Sequence, residues 1–341
     1  MKNYIGLDAH SASCTFVNLD WQGNMISRTR VKTTESNLIN FVQSQKGERK
    51  LTFEQSGLSK WLYTVLKGKV DELIVCNPVF LSPRSGPKND YRDALHLADE
   101  LRCQHLTPVY MEDNELMTMR TLVSSYTDVV REIVRAKNRY KALFREEALI
   151  THGSTMYKKP ERISELSKST HRFVATNIMD NLMFLEEIKS KYLKVFRENM
   201  KKYEVLRNLD SVPGIDVIRA HVIAALVCTA SRFKNKHKFW AYSMLVKYTQ
   251  ESDGKVYGRK MVHGRRELKN VFLGSAMSIL KGKSSMRSLY DRLRSQGLSD
   301  GAARYDVARK IAAICLSVMR QNRKYKDKYE EEQKRLKKKI R

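Results

Sequence analysis

Tyr4-Ile5-Gly6-Leu7-Asp8-Ala9-His10 opens the chain with an apolar run of strand length that ends in a carboxylate. A short apolar segment between polar flanks reads as a buried strand. Outward from it, Thr15 to Leu19 reads as a second strand, Trp21-Gln22-Gly23-Asn24 as a turn, and Met25 to Val31 as a third strand. Thr34 to Gln45 carries Leu38, Ile39, Phe41 and Val42 at helical spacing, behind Thr34 or Ser36 as N-cap. Lys50 to Phe53 is a short strand ending in Glu54, and Leu58 to Leu66 reads as a helix. Leu73 to Cys76 is a further strand closed by Asn77-Pro78. A loop holding Pro78, Pro83 and Pro87 then leads to a helix from about Asp90 to Cys103. The first hundred residues are therefore α/β, and they contain no glycine-rich phosphate loop.

The middle of the chain changes period. Leu116, Met119, Val123, Tyr126, Val130, Ile133, Tyr140 and Leu143 recur at steps of mostly three and four, which predicts one long amphipathic helix over Glu115 to Leu149. A polar break over His152 to Pro160 follows. A second long pattern then runs from Phe173 through Ile178, Leu182, Leu185, Ile188, Tyr192, Phe196, Met200 and Tyr203 to Leu206. Two long helices joined by a loop predict an antiparallel coiled-coil arm, with a plain helical bundle as the alternative. Beyond Leu209, Ser211-Val212-Pro213-Gly214-Ile215 is a turn that opens the helix Val217 to Ala230. Further helices are expected at about Glu267 to Lys281 and Ala302 to Met319.

Composition sets the partner. The 341 residues hold 64 Lys plus Arg against 37 Asp plus Glu, a formal net charge of +27, with 42% hydrophobic residues. That apolar content rules out wholesale disorder, and the charge favours a polyanion, nucleic acid before an anionic membrane. The five cysteines are odd in number and widely spaced, which argues against a disulfide framework or zinc ribbon. The longest apolar stretch, around Val222 to Cys228, is far short of the roughly 20 residues of a membrane span. The expectation is a cytoplasmic protein. Segment 231–269 holds eleven Lys and Arg against three acids, interleaved with Phe233, Phe239, Trp240, Tyr242, Tyr248 and Tyr257. Phosphate contact with base stacking is the use of that mix. Arg232, Lys234, Lys247, Lys255, Arg259, Lys260, Arg265, Arg266 and Lys269 are its expected nucleic-acid-binding residues. The tail from Arg320 to Arg341 holds eleven basic residues among twenty-two and reads as a further phosphate-binding arm.

Four carboxylates stand out by position. Asp8 ends the first strand, Glu54 ends a later one, and Asp90 and Asp93 are three apart at a helix start, so both point the same way. A first-strand Asp, a second-strand Glu and a helical acidic pair are what a nuclease fold of the ribonuclease H type needs. Such a fold gathers its acids at one sheet edge around two Mg²⁺ ions about 3.5–4 Å apart, which clamp the attacking and leaving oxygens of a phosphodiester. His10, His96, His105 and His263 receive no role in this reading.

Gly6-Leu7-Asp8-Ala9-His10, Phe53-Glu54-Gln55-Ser56-Gly57 and Lys88-Asn89-Asp90-Tyr91-Arg92-Asp93-Ala94 resemble the three acidic motifs of the DEDD insertion-sequence transposases, the IS-one-ten family. Val212-Pro213-Gly214-Ile215, Ser231-Arg232-Phe233, Met244-Leu245-Val246 and Ser252-Asp253-Gly254-Lys255 follow in that family's order. Tyr290 to Gly297 and Ala302 to Met319 resemble its closing helices. The resemblance implies a RuvC-like domain over 1–110 with Mg²⁺ on Asp8, Glu54, Asp90 and Asp93, and a coiled-coil region over 111–208 that joins protomers. It implies a mostly α domain over 209–320 whose Ser252 attacks DNA to form a phosphoserine intermediate, and a basic tail over 321–341. It further implies guidance by a structured bridge RNA, donor and target DNA as partners, and a dimer or tetramer in which acids and serine of one site come from different protomers. The sequence departs from the family where Lys247 replaces Pro, Ser252-Asp253 replaces Ser-Gly, Val262-His263-Gly264 replaces a Lys-x-Gly-like segment, and Leu268-Lys269 replaces Leu-Arg. The rival readings are a site-specific DNA invertase of the same family, a metal-dependent nuclease resembling Holliday-junction resolvases, and a non-catalytic nucleic-acid-binding protein.

Overall fold

The computed structural model describes residues 1–83, 89–112, 114–153 and 155–327. Lys88 of the third acidic motif and residues 328–341 of the expected basic arm lie outside the described residues. The chain divides into two compact units, Met1–Asp113 and Asn114–Arg341.

The first unit is built on five strands: β1 (Lys2–Ala9), β2 (Ser13–Leu19), β3 (Met25–Lys32), β4 (Glu48–Glu54) and β5 (Glu72–Cys76). Their order in the sheet is β3-β2-β1-β4-β5. β1 and β3 both run antiparallel to β2, while β1, β4 and β5 are parallel. Parallel neighbours need crossover helices, and the sequence supplies α1 (Glu35–Ser44) before β4 and α2 (Ser59–Leu66) before β5. These two helices cover one face. Leu38 and Val42 of α1 and Leu62 and Leu66 of α2 pack on Ile5, Leu7, Phe16, Leu51 and Phe53. Full burial of each such side chain is worth about 1.5–3 kcal/mol.

The opposite face carries α3 (Asp90–Arg102), whose Ala94 and Ala98 pack on Val17 and Leu19. The small residues matter because the helix lies directly on the backbone of β1. A Cβ at Gly6 would stand 2.0 Å from the Ala94 carbonyl oxygen and 2.5 Å from the Ala98 nitrogen. Only glycine permits that approach.

The second unit is mostly helical. Its helices are α4 (Glu115–Glu146), α5 (Ser169–Lys202), α6 (Glu204–Asp210), α7 (Val217–Val227), α8 (Lys236–Tyr242), α9 (Arg266–Ile279), α10 (Ser285–Ser295) and α11 (Asp300–Gln321). α4 and α5 pack antiparallel. Tyr126 meets Phe196 with ring centroids 5.2 Å apart, Lys137 bridges to Glu186 at 2.9 Å, and Glu147 meets His171 at 2.7 Å. No side chain of its own sequence caps α5. Glu147, just after α4, ties down the residues that lead into it, accepting from the Ser167 nitrogen at 2.5 Å and its hydroxyl at 2.8 Å, which holds its carboxyl down at about 2. Beyond Tyr126 the pair has its own core of Ile133, Ala136, Tyr140 and Phe144 against Ala175, Met179, Leu182 and Leu185. At the other end, Met119, Val123, Tyr126 and Phe196 join one core with α6, α7, α9 and α11. The Val212–Ile215 turn enters that core through Gly214 at φ +78°, where a Cβ would stand 2.8 Å from the Ser275 carbonyl oxygen.

Segment 231–269 holds a pair of strands that the helical reading omits. β6 (Lys247–Ser252) and β7 (Lys255–Met261) form an antiparallel hairpin. Its two-residue loop is Asp253-Gly254, with φ of 49° and 69°. Positive φ at both central positions is the type I′ turn that matches strand twist, and Asp-Gly is among its preferred sequences. Among the described residues, no helix is long and apolar enough to cross a membrane.

Candidate active site

Side chains alternate along a strand, so Asp8 shares the face of Gly6 on which α3 lies. Because Gly6 lets α3 settle onto β1, the first turn of α3 sits over the end of that strand. Asn89 caps this turn, its side-chain oxygen accepting from the Arg92 nitrogen at 2.8 Å. Asp90 and Asp93 occupy the turn itself. The register Leu7↔Phe53 makes Glu54 the next residue beside Asp8 across the β1–β4 pair, and Glu54 is half-buried.

The resulting cluster is compact. Asp8, His10 and Asp90 bring ligand atoms within 4.8 Å of one another. His10 Nε2 lies 3.1 Å from Asp8 Oδ2 and 3.7 Å from Asp90 Oδ1. Arg30 Nη2 lies 3.4 Å from Asp90 Oδ2 and donates to Ser13 Oγ at 2.9 Å. The Asp8 side chain is 19% exposed. Burial pushes its carboxyl above the ordinary aspartate range, His10 opposes that shift, and Asp90 and Asp93 add to it as like charges. A divalent cation would relieve that repulsion. Two carboxylates and an imidazole suit one, the hard oxygens favouring Mg²⁺ or Mn²⁺.

Of the four expected acids, Asp8 and Asp90 meet in this group. Asp93 acts on Asp8 through its charge, and Glu54 adjoins Asp8 by register; neither belongs to the three-residue group. His10 is the member the sequence reading left without a role. Its signal was strand alternation, since residue 10 follows Asp8 by two and projects to the same side if the strand geometry continues.

The expected basic residues and Ser252 belong to the second unit. Ser252 is exposed, closes β6 and pairs with Lys255 across the hairpin turn. Lys247, Lys255, Arg259 and Lys260 are exposed along the same hairpin, beside Tyr248 and Tyr257 at 46% and 68% exposure. Lys234 and Arg266 are exposed, and Arg265 is half-buried before α9. Lys269 Nζ lies 6.0 Å from the centre of the Tyr305 ring. Arg232 is placed differently. Its guanidinium lies 4.9 Å over Phe233 and 4.8 Å over Tyr242, and donates to the Leu226 and Val227 carbonyls at the end of α7. It closes a helix terminus.

Comparison with known proteins agrees with the order of these parts. Residues 5–147 match the family model DEDD_Tnp_IS110, described as "Transposase", and residues 206–291 match "Transposase IS116/IS110/IS902 family". A relative from Sinorhizobium fredii (strain NBRC 101917 / NGR234), "Putative transposase y4qE", is 26% identical over 187 residues. The aligned stretch covers 54% of this chain and 46% of that protein, about half the length of each. The first match takes in Asp8, Glu54, Asp90 and Asp93, and the second takes in Ser252 and the hairpin. With a mixed α/β unit bearing the acids and a helical unit bearing the serine, the chain belongs to the IS110 family of transposases.

Proposed function

We propose that the protein is a DNA recombinase that moves an insertion sequence, with a Mg²⁺-dependent site on its RuvC-like first unit and a serine nucleophile on its second. The observation that carries this reading is the convergence of Asp8, His10 and Asp90 at the end of the central strand, in a chain of the IS110 family. Asp8 and Asp90, with Glu54 and Asp93 beside them, hold the cation. When bound, it supplies Lewis-acid stabilisation of charge on the phosphate oxygens and favours an ionised attacking oxygen. His10 hydrogen-bonds Asp8 and orients its carboxylate. Ser252 supplies the hydroxyl. Its oxygen bonds to phosphorus as the bond to one deoxyribose oxygen breaks, and the serine proton passes to a base while the departing oxygen gains one.

The exposed basic and aromatic hairpin holds nucleic acid, both DNA and a structured guide RNA, together with Lys234, Arg265, Arg266, Lys269 and the arm 321–341. α4 and α5 act as the coiled coil that joins protomers into a dimer or tetramer in the cytoplasm. The division into 1–110, 111–208, 209–320 and 321–341 is then one of roles. An invertase of the same family would use the same chemistry and differ only in its products.

The test is covalent trapping. The protein is mixed with labelled DNA of its element ends, host RNA and Mg²⁺, then denatured. A denaturant-stable DNA adduct, lost in both Ser252→Ala and Asp8→Ala, is the expected result. Nicked DNA without an adduct, persisting in Ser252→Ala, would replace this reading with a water-using nuclease resembling junction resolvases.

A further inference from the structure

We infer that one face of β3 guides the DNA strand into the acid cluster, with Arg28, Arg30 and Lys32 holding successive phosphates. This rests on the proposed function for the identity of the strand.

β3 is an edge strand, and its cations occupy alternate positions. The pairings Val17↔Arg28, Thr15↔Arg30 and Ser13↔Lys32 fix their side. Val17 packs under α3, so all three cations share the sheet face that bears Asp8 and α3. Arg30 is level with Asp8, through Asp8↔Thr15 and Thr15↔Arg30. Alternate residues on a strand are about 6.7 Å apart, which suits neighbouring phosphates of an extended chain. The row borders a groove of about 710 Å³ lined by Thr15, Arg28, Arg30, Asn89, Asp90 and Tyr91. Asp90 thus belongs both to the groove and to the acid cluster.

The groove is also fitted for a nucleotide. The Arg28 guanidinium lies over the Tyr91 ring, 4.8 Å from its centre, so the groove offers an aromatic ring for a base beside a cation for a phosphate. Among the described residues no carboxylate pairs with Arg28 or Lys32, and both are exposed. Arg30 bridges Ser13 and Asp90, which places a cation at the mouth of the cluster. Charges on an edge strand also keep sheets from pairing with one another. That role is indifferent to the face used, yet the other face of β3 carries Ile26 at one end, then Ser27, Thr29 and Val31 in alternation with the cations, and no charge at all.

The experiment measures binding of the full-length protein to a labelled single-stranded DNA by fluorescence anisotropy, in Ca²⁺ without Mg²⁺, over a range of salt. Each phosphate contact on a single strand contributes about 0.7 to the slope of log affinity against log salt. Arg28→Gln and Lys32→Gln should each lower the slope by about that amount, and Arg28→Lys should restore it. Lys60→Gln, on α2 across the sheet, should leave it unchanged. A wild-type slope in both Arg28→Gln and Lys32→Gln would overturn the inference, as would a loss seen only with an RNA of the same sequence. Asp8→Asn separates this from the parent reading. It should keep the binding slope and lose cleavage, whereas cleavage by Asp8→Asn with the slope effects intact would refute the metal chemistry alone.

Discussion

The acid cluster and the Ser252 hairpin are built by opposite means. Asp8 and Asp90 meet because two layers of the fold are pressed together, with Gly6 allowing helix backbone to lie on strand backbone. The hairpin depends on local turn chemistry, Asp253-Gly254, and both its strands are largely exposed. The first arrangement fixes its groups through the core. The second presents a hydroxyl among cations and aromatic rings with no core behind it. A site that must position charge within a few tenths of an ångström needs the first kind of support. The proposed serine nucleophile, which on that reading is delivered to a bound strand, would use the second.

The contrast can be broken most forcefully at Gly6. Gly6→Ala should cost about 3 kcal/mol, because helix backbone must retreat from the new methyl. Chemical denaturation would read that loss, together with loss of divalent-cation binding. Arg232→Gln comes next. It should destabilise by about 2 kcal/mol by uncovering the carbonyl end of α7, with no change in the salt dependence of DNA binding. Arg259→Gln should do the reverse, shifting the salt slope while stability stays within about 0.5 kcal/mol.

Gly254→Val strains a left-handed position by about 1–2 kcal/mol, confined to the hairpin. It should abolish the covalent adduct while the main melting transition moves by no more than a few degrees. The smallest effect is at Asp8. Its carboxyl is raised in the folded state, so the unfolded chain ionises first and stability falls as pH rises from the ordinary 3.8 through the raised value. In EDTA at pH 7, Asp8→Asn should therefore melt a few degrees above wild type. The gap should close by pH 3, and divalent cation should reverse the order.

The first unit was legible because its signals are local. Apolar runs ending in Asp8 and Glu54, and the proline-rich loop before Asp90, marked strands and a helix start that the structure keeps within a residue or two. The meeting of Asp8 with Asp90 was inferred from the order of acids, and its physical cause lay in Gly6, whose close contact no periodicity shows. His10 went unassigned because a histidine after a strand is ordinary until its neighbours are known. The hairpin was missed for a different reason. The eleven cations and interleaved aromatics were read for phosphate contact and base stacking and not for strands, although Asp253-Gly254 between Tyr248-Thr249 and Val256-Tyr257 is a hairpin signal in its own right. Arg232 looked like its basic neighbours, and only its packing over Phe233 and Tyr242 sets it apart.

The most direct test of this division is calorimetric titration of Mn²⁺ into wild type, Asp8→Asn and Ser252→Ala, without nucleic acid. The account predicts equal binding by wild type and Ser252→Ala and none by Asp8→Asn. Undiminished binding by Asp8→Asn would contradict it.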